Sequence, residues 1–336
     1  MQSSPRDVPW QGPARATWLD AVQSWIQHQV EDQGLSIEGP LHCLRDRPWA
    51  IVMRVPCTGG PLFFKAVGPS GWAEPAILQA LSPRFNDRLP TVLAADSQRG
   101  WLLMADHGRT LQEHLAGADS LGAWQQLMPI FAEMQRVEQP WHALGVPDRR
   151  PQVLPTLLRE LLADPKVLRL GRDDGLSNEQ LAQLHAVLPE FDACCEALSA
   201  QAPALNHGDL YDRNVLVRDG AYRFIDFGDA CLTHPLCVLL VPCQKTVGSW
   251  SSKEGRRRLE LMCGAYLQVW QGHRDAAALR PLLGSALWVA HVLRALNWEN
   301  LGRAAQGKTR RECSRQVISW LGILLRRRAL LRSPDF

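Results

Sequence analysis

The amino-acid sequence predicts an α+β fold with two lobes: a small lobe built on a five-stranded antiparallel sheet with one helix, and a large lobe that is mainly helical. Three observations lead to this prediction. The chain has 336 residues, more than the roughly 250–300 residues at which a single hydrophobic core stops growing. Short apolar runs separated by turn residues fill the first part of the chain, and longer runs at helical spacing fill the rest. We expect an N-terminal lobe over residues 1–105, a hinge over 106–110 and a C-terminal lobe over 111–336.

The N-terminal lobe is predicted to begin with a helix over about residues 17–32, where tryptophan and aliphatic residues recur at helical spacing. The apolar runs LHCL, WAIVMRV and LFFKAV follow, separated by the turn-forming stretches RDRP and CTGG, and predict three antiparallel strands. WAEPAILQAL predicts a helix, because Pro75 falls in its first turn, where proline is tolerated. TVLAAD and WLLMAD, joined by the turn SQRG, complete the predicted sheet.

The C-terminal lobe is predicted to be helical apart from one hairpin. Apolar residues recur at helical spacing in the stretches LQEHL, WQQLMPIFAEMQRV, VLPTLLRELL, EQLAQLHAVLPEFDACCEAL, RRLELMCGAYLQVW, LLGSALWVAHVLRALNW and RQVISWLGILLRRRALL. The segment VLVRDGAYRFIDF interrupts this pattern, and its central Asp219-Gly220 pair is typical of a tight β-hairpin turn.

The composition is that of an ordinary folded protein. Hydrophobic residues make up 46% and charged residues 21% of the chain, so the sequence can bury a sizeable core and is neither disordered nor fibrous. The formal net charge is +3, and the charges are spread along the chain, which gives no footprint for nucleic acid. Two arginine clusters, at 256–258 and 326–328, are predicted to be solvated helix faces.

The cysteines and the apolar segments indicate a cytoplasmic protein. The nine cysteines form no C-x-x-C pair and are odd in number, which favours reduced, mostly buried thiols over a disulfide framework or a zinc site. The first residues lack the basic and apolar regions of a signal peptide. The longest apolar window, ACLTHPLCVLLVPC, is too short and too often broken by proline to span a bilayer. We therefore expect no membrane partner.

The clearest chemical signal is the stretch LNHGDLYDRNVLVRDGAYRFIDFGDA, residues 205–230. Asp209 precedes the first strand of the predicted hairpin, Asn214 lies five positions on, and Asp226 ends the second strand. A tight hairpin brings its two ends together, so Asn214 and Asp226 can face a common point. Phosphoryl transfer uses such a set: an aspartate that accepts the proton of the attacking hydroxyl, and amide and carboxylate oxygens that hold magnesium, a hard cation.

HGDLYDRN followed by IDFGD resembles the catalytic loop and metal motif of the aminoglycoside phosphotransferase and choline kinase family, whose fold is protein-kinase-like and bilobal. The resemblance implies that Asp209 is the catalytic base, that Asn214 and Asp226 bind magnesium, and that His207 shapes the loop. At Tyr211 the family often has a histidine. Turns with capping aspartates can produce either motif alone, but both motifs in this order around a hairpin of this length favour a kinase.

A kinase of this family needs a lysine on the third strand of the small lobe to bind the α- and β-phosphates, and a glutamate on the following helix to hold that lysine. PLFFKAV supplies Lys65 on the third predicted strand, and GWAEPAIL supplies Glu74 nine residues later. A strand lysine is often solvent-facing, and a glutamate in a first helical turn often only complements the helix dipole. Lys65 stands inside an apolar run, which favours the functional interpretation.

The rest of the nucleotide site is less complete. WLLMADHG resembles the fifth strand and linker of the family, whose backbone would pair with adenine, and this resemblance places Met104, Ala105 and Asp106 there. A glycine-rich phosphate loop is missing, because LRDRPWA stands between the first two strands. Arg45 and Arg47 in this stretch either add positive charge for the phosphates or are solvated loop arginines.

The resemblance implies that the helical lobe selects the acceptor, with acidic and aromatic side chains that receive polar, often cationic molecules. RALNWENLGR offers Trp298 and Glu299 on a late helix, which suits an ammonium group or a sugar ring. A Trp-Glu pair at the border of core and solvent has the same pattern. Asp229, just after the D-F-G sequence, is a second acidic candidate.

The sequence thus predicts an ATP- and magnesium-dependent phosphotransferase that moves the γ-phosphate to a hydroxyl of a small polar molecule. Aminoglycosides, amino sugars, choline-like alcohols and homoserine-like molecules all stay open as acceptors. The alternative is a catalytically silent kinase-like module that binds a nucleotide and regulates a partner, which the missing glycine loop and Tyr211 suggest. A protein kinase is disfavoured, because DACLTHPLCVLL follows D-F-G directly and leaves no room for an activation loop.

Overall fold

The structure is a computed structural model and describes residues 8–271 and 276–333. The outermost ends of the two predicted lobes, residues 1–7 and 334–336, lie outside the described part, as do residues 272–275. The chain divides into two compact units. The first unit comprises Met1–His114, Arg213–Asp229 and Arg303–Gln306, and the second comprises Leu115–Asp212, Ala230–Gly302 and Gly307–Phe336. The lobe boundaries predicted from the sequence stay predictions.

The regular elements alternate between strands and helices early in the chain and are mostly helices later. The helices are α1 (Arg15–Asp32), α2 (Glu74–Phe85), α3 (Leu111–Leu115), α4 (Leu121–Gln135), α5 (Leu154–Leu162), α6 (Asn178–Ala186), α7 (Leu188–Ser199), α8 (Leu240–Thr246), α9 (Lys253–Gln268), α10 (Ala276–Leu279), α11 (Leu283–Ala304) and α12 (Gly307–Leu331). The strands are β1 (His42–Arg47), β2 (Ala50–Val55), β3 (Leu62–Val67), β4 (Val92–Asp96), β5 (Trp101–Ala105), β6 (Arg109–Thr110), β7 (Ala204–Asn206), β8 (Val215–Arg218), β9 (Ala221–Phe224) and β10 (Cys231–Thr233).

The first unit contains the five-stranded sheet that the sequence predicts. Its strand order is β1-β2-β3-β5-β4, and every neighbouring pair is antiparallel. The first three strands form successive hairpins, α2 intervenes, and β5 returns beside β3. The predicted α+β fold class is confirmed, with one helix between the third and fourth strands of the small sheet and a mainly helical remainder.

One face of this sheet is covered by α1. Every second residue of β2 and β3 points to that face and is buried against the apolar stripe of the helix. The residues that meet there are Trp18, Val22, Ile26 and Val30 of the helix and Ile51, Met53, Val55, Leu62, Phe64 and Ala66 of the sheet. Trp101 of β5 makes edge-to-face contacts with Trp18 and Trp25, at centroid distances of 6.3 and 5.6 Å. The alternate residues of β2 and β3, Lys65 among them, therefore point to the opposite face.

The predicted hairpin of the first unit is present, with β8 and β9 joined by Asp219 and Gly220. Both turn residues have positive φ angles, 51° and 76°, which a tight two-residue turn requires and which Asp and Gly tolerate well. β6 pairs with β8 and extends the hairpin to three strands. The backbone N–H of Phe224 donates to the carbonyl of Arg88 at 2.9 Å. This bond attaches the hairpin to the loop that follows α2.

In the second unit, α11 is buried on almost every side. Its polar residues Ser285, His291, Arg294 and Asn297 are buried together with its apolar ones. A helix in this position cannot leave polar side chains unsatisfied without a cost in folding free energy, so they need partners inside the protein.

Three details of the second unit differ from the sequence prediction. Residues 179–198, predicted as one helix, form α6 and α7, because Pro189 lacks the backbone N–H that a continuous helix would use. The apolar window around Pro242 contains the short helix α8, which the sequence prediction lacks. Arg327, predicted to be solvated, lies over the ring of Trp250, with 4.1 Å between the guanidinium carbon and the ring centroid.

The burial of the cysteines agrees with the sequence prediction. All nine cysteines are free, and all except Cys43 are buried, which confirms the prediction of reduced, mostly buried thiols. Burial raises the pKa of the Cys313 thiol to about 11, which makes it unreactive near neutral pH. Among residues 8–271 and 276–333, no helix has the length and apolar character needed to cross a membrane.

Candidate active site

Lys65 occupies the middle of the five-stranded sheet in the first unit. It lies on β3 between Val52 of β2 and Leu102 of β5, and 8% of its side chain is exposed. A buried ammonium group needs opposite charge and hydrogen-bond acceptors. Its Nζ atom donates to both carboxylate oxygens of Glu74, at 2.8 and 2.6 Å, and to Oδ1 of Asp226 at 2.6 Å. The structure therefore brings three of the sequence-predicted site residues together.

The two carboxylates keep Lys65 protonated. Burial alone would lower the pKa of Lys65, but the carboxylates of Asp226 and Glu74 outweigh it and hold that pKa above its ordinary value. Burial raises the pKa of the Glu74 carboxyl, and the charge of Lys65 opposes this effect. The backbone N–H of Phe227 also donates to Glu74. Glu74 thus contacts both the lysine and the backbone that follows Asp226.

Asn214 and Asp226 lie at neighbouring ends of the β8–β9 hairpin. The backbone N–H of Ile225 donates to the carbonyl of Asn214 at 3.0 Å, which joins the start of β8 to the residue before Asp226. Asp226 has a φ of 67°, a left-handed conformation that Asp and Asn adopt more readily than other residues with a side chain. Asn214 is buried. The hairpin therefore holds an amide and a carboxylate at neighbouring positions.

This donor set suits magnesium. Carboxylate and amide oxygens are hard ligands, and magnesium keeps several waters when it binds to a protein, so one group from Asp226 and one from Asn214 suffice. In the described part of the chain, no group of three or more His, Cys, Asp or Glu side chains could hold a metal ion. The fit to magnesium rests on the amide and carboxylate oxygens of Asn214 and Asp226.

Arg45 is a second cation beside Asp226. Its Nη1 atom lies 4.0 Å from Oδ2 of Asp226, and 49% of the arginine side chain is exposed. Arg45 pairs with Val52 on β2, and Val52 pairs with Lys65 on β3. Residues directly opposite each other in a sheet point to the same face, so Arg45 and Lys65 share a row on the face that α1 does not cover. Arg47 lies nearer the turn of the same hairpin.

The predicted hinge residues Met104, Ala105 and Asp106 stand at the end of β5 and just after it. The backbone N–H of Ala105 donates to the carbonyl of Thr91 at 3.0 Å, and the carbonyl of Asp106 accepts from Arg218 at 2.7 Å. These two backbone groups are engaged within the protein. Adenine binding at this segment stays a prediction, and it would have to use other backbone groups.

The loop after β7 belongs to the second unit as far as Asp212. Gly208 has a φ of 79°, in the left-handed region that favours glycine, and its N–H donates to Oδ1 of Asn206 at 2.8 Å. His207 is fully buried, and its Nδ1 accepts from the backbone N–H of Asp209 at 3.4 Å. These local hydrogen bonds hold the backbone of the loop at Asp209.

Asp209 lies beside Arg294, a residue of α11 that the sequence analysis did not single out. Nη2 of Arg294 is 2.8 Å from Oδ1 of Asp209, and 5% and 13% of the two side chains are exposed. Nη1 of Arg294 also donates to the carbonyl of Gly208. The available signal in the sequence is a positive charge within the largely apolar stretch LLGSALWVAHVLRALNW.

Asp212 is a second residue of the loop that the sequence analysis did not single out. It is buried, and its carboxylate oxygens accept from Nε1 of Trp124 at 2.7 Å and from Nζ of Lys245 at 2.5 Å. The two donors come from α4 and α8, so the buried carboxylate ties two helices to the end of the loop. The sequence offered one indication of this role, because Asp212 is a further charged residue within HGDLYDRN.

The three candidate acceptor residues are half-buried. Asp229 ends a short 3₁₀ helix in the first unit, whereas Trp298 and Glu299 are consecutive residues of α11 in the second unit. Consecutive residues leave a helix about 100° apart. Trp298 and Glu299 therefore point in different directions, and acceptor binding by them stays a prediction.

The five-stranded antiparallel sheet and the mainly helical remainder have kinase-like architecture. A family model described as the phosphotransferase enzyme family (APH) matches residues 73–282, well over half of the chain. The chain belongs to this family. No curated protein matches its sequence.

Solved structures with the same fold act on different molecules. A macrolide 2'-phosphotransferase of type I has a TM-score of 0.61 at 15% identity, covering 88% of this chain and 97% of that chain. A choline/ethanolamine kinase family protein from Mesorhizobium loti has a TM-score of 0.58 at 17% identity, covering 89% and 90%. A spectinomycin phosphotransferase in complex with ADP and spectinomycin has a TM-score of 0.54 at 11% identity, covering 90% and 97%. At these identities the similarity concerns the fold.

Proposed function

We propose that the protein is an ATP- and magnesium-dependent phosphotransferase that moves the γ-phosphate to a hydroxyl group of a small polar molecule. The proposal rests on the buried contact of Lys65 with Glu74 and Asp226. A lysine held between a helix glutamate and the aspartate of a D-F-G sequence is the phosphate- and metal-binding arrangement of kinases. Family membership supports the reaction class, and the ADP complex of a protein with the same fold supports the nucleotide.

Lys65 and Arg45 would bind the phosphates. Both cations contact Asp226, at 2.6 and 4.0 Å, so two cationic side chains share one face of the sheet. A triphosphate offers several oxygen acceptors, and a guanidinium group can donate to two of them at once. The Arg45 side chain would in this way donate hydrogen bonds to the phosphates, as a glycine-rich loop does with its backbone N–H groups.

Asn214 and Asp226 would hold magnesium, which neutralises charge on the phosphates during transfer when it is bound. Lys65 orients the carboxylate of Asp226 through Oδ1, and the hydrogen bond from Ile225 holds the backbone of Asn214. Such preorganisation lowers the cost of assembling the site at the moment of reaction.

Asp209 would accept the proton of the acceptor hydroxyl. A general base has to lie within hydrogen-bond reach of that proton, so its carboxylate must be held in a defined orientation. The ion pair with Arg294 and the backbone hydrogen bond to His207 do this for Asp209.

The acceptor is proposed to be an aminoglycoside, an amino sugar or an amino alcohol. Trp298 stands four residues after Arg294 on α11, so both lie on the same face of the helix. An indole at that position suits a sugar ring or an ammonium group. Glu299 and Asp229 would add contacts to cationic groups of the acceptor.

A second candidate function is a catalytically silent module that binds a nucleotide. The observation that favours it is the turn between β1 and β2 at Pro48 and Trp49, which contains no glycine. Under this alternative, ATP would bind but no acceptor would be phosphorylated.

The test is ADP release by the purified protein with ATP and magnesium, against a panel of aminoglycosides, amino sugars and amino alcohols. We expect one class to stimulate release and Asp209→Asn to abolish the stimulation. Asp192→Asn is the matched control, since it removes a carboxylate from an ion pair with Arg159 on the exterior of the second unit. Equal turnover by the Asp209→Asn variant would refute the proposal, and ATP binding without any product would leave either an acceptor outside the panel or the silent module.

A further inference from the structure

The buried guanidinium group of Arg294 is held on several sides. Its edge contacts the carboxylate of Asp209 at 2.8 Å and the carbonyl of Gly208. Its guanidinium carbon lies over the ring of Trp320 of α12, 5.5 Å from the ring centroid. Contacts with a carboxylate, a carbonyl and an aromatic ring together restrict the position of the guanidinium group.

Asn297, one turn further along α11, reaches the same loop carbonyl. Its Nδ2 donates to the carbonyl of Gly208 at 3.3 Å. Arg149 donates to Oδ1 of the same amide, so the amide is oriented with its NH₂ group toward the loop. Arg149 itself donates to the backbone carbonyls of Leu293 and Leu296, at 3.4 and 3.3 Å. These hydrogen bonds connect Arg149, which precedes α5, through Asn297 of α11 to the loop at Gly208.

We propose that Arg294 is a positioning residue that sets the orientation of the Asp209 carboxylate, with Asn297 and Arg149 as its support. This inference rests on the proposed function, in which Asp209 accepts the proton of the acceptor hydroxyl. Arg294 acts through Asp209 and through the carbonyl of Gly208, the residue before it. The two contacts fix the side chain and the backbone of the base together.

A packing role alone does not explain this arrangement. A buried arginine could be satisfied by any carboxylate or carbonyl of the second unit, yet Arg294 uses two consecutive residues of one catalytic loop. Small displacements of a catalytic group lower the rate far more than they lower stability. A positioning role therefore predicts a loss in kcat that greatly exceeds the loss in stability.

The test compares Arg294→Lys with the unaltered protein in the ADP-release assay. Lysine keeps the positive charge but lacks the planar fork that reaches two acceptors at once. We expect kcat to fall about 100-fold and the KM for ATP to stay within about threefold, with an unchanged melting temperature. Arg258→Lys is the matched control, because it alters a partly buried ion pair with Asp119 outside this network.

Chemical rescue distinguishes the loss of a positioned guanidinium group from a folding defect of the variant. Added guanidinium ion at millimolar concentration should restore part of the kcat of Arg294→Ala, whereas sodium at the same ionic strength should not. A kcat of Arg294→Lys within about threefold of the unaltered protein would overturn the positioning role alone. An unaltered protein without any turnover that depends on Asp209 would overturn the proposed function, and the role of Arg294 with it.

Discussion

The Nζ atom of Lys65 lies 2.6 Å from Oδ1 of Asp226, although the two residues are 161 positions apart in the chain. Lys65 stands in the centre of the sheet, and Asp226 follows the hairpin of the first unit. Glu74 completes the group from α2. Lys65 and Glu74 are both buried, so removal of either one leaves the other as an unpaired charge in a region that water reaches poorly.

Lys65→Met is therefore expected to abolish ADP release and to lower the free energy of unfolding by about 3 kcal/mol. The reason is that the buried carboxylate of Glu74 loses its cation, whereas Asp226 is partly exposed and keeps Arg45 at 4.0 Å. Urea denaturation measures the stability. Lys65→Met combined with Glu74→Gln should recover much of the lost stability and none of the activity. Activity close to normal in the single variant would show that the lysine does not bind the phosphates.

Arg45→Gln is expected to raise the KM for ATP about fivefold and to leave kcat nearly unchanged, because a half-exposed charge contributes modestly to phosphate binding. The effect should shrink at high salt, since screening weakens an exposed charge. Initial rates over a range of ATP concentrations measure it. Arg84→Gln removes the same charge from an exposed position on α2 and should not change the KM. A KM that does not respond to Arg45→Gln would remove this residue from the phosphate site.

Lys245→Met is expected to lower the free energy of unfolding by about 2 kcal/mol, because it leaves the buried Asp212 carboxylate with one neutral donor, Trp124. Chemical denaturation measures the change. Adding Asp212→Asn should return most of the stability, since the unpaired charge is then gone. Lys253→Met, at an exposed position, serves as the control and should have almost no effect. Equal stabilities of both lysine variants would mean that the pair with Asp212 contributes little.

The buried position of His291 predicts how the free energy of unfolding depends on pH. Burial lowers the pKa of His291 to about 3, with the charge of Arg327 as a second cause. The ring stays neutral in the folded protein, whereas the unfolded chain takes up a proton below about pH 6.5. The stability contributed by the neutral ring is therefore fully present above about pH 6.5 and is lost as the pH falls toward the folded-state pKa.

At pH 5 the loss due to His291 amounts to about 2 kcal/mol, from roughly 1.4 kcal/mol for each pH unit below the unfolded pKa. His291→Leu should accordingly lose less stability than the unaltered protein when the pH is lowered from about 7 to about 5. Denaturation curves at the two pH values measure the difference. His185→Leu, which replaces an exposed histidine of α6, should leave the acid sensitivity unchanged. An identical acid response of the His291→Leu variant would contradict the buried neutral ring.

Several parts of the fold were predictable because local patterns encode them. The short apolar runs WAIVMRV and LFFKAV, separated by turn residues, predicted antiparallel strands, and the Asp219-Gly220 pair predicted the hairpin turn. The resemblance to the kinase family implied that Glu74 holds Lys65, and the structure shows their contact. The helix break at Pro189 was missed because apolar spacing alone does not register a missing backbone N–H.

The sequence by itself determined the small antiparallel sheet, the helical remainder and the paired motifs around the hairpin, because periodicity and turn chemistry are properties of neighbouring residues. Only the tertiary structure decided that Arg294 meets Asp209, that Asp212 receives Trp124 and Lys245, and that Arg45 stands beside Asp226. These contacts join segments far apart in the chain. An unpaired charge in the protein interior costs free energy. The packing of helices and strands determines which oppositely charged or hydrogen-bonding group lies close enough to pair with it.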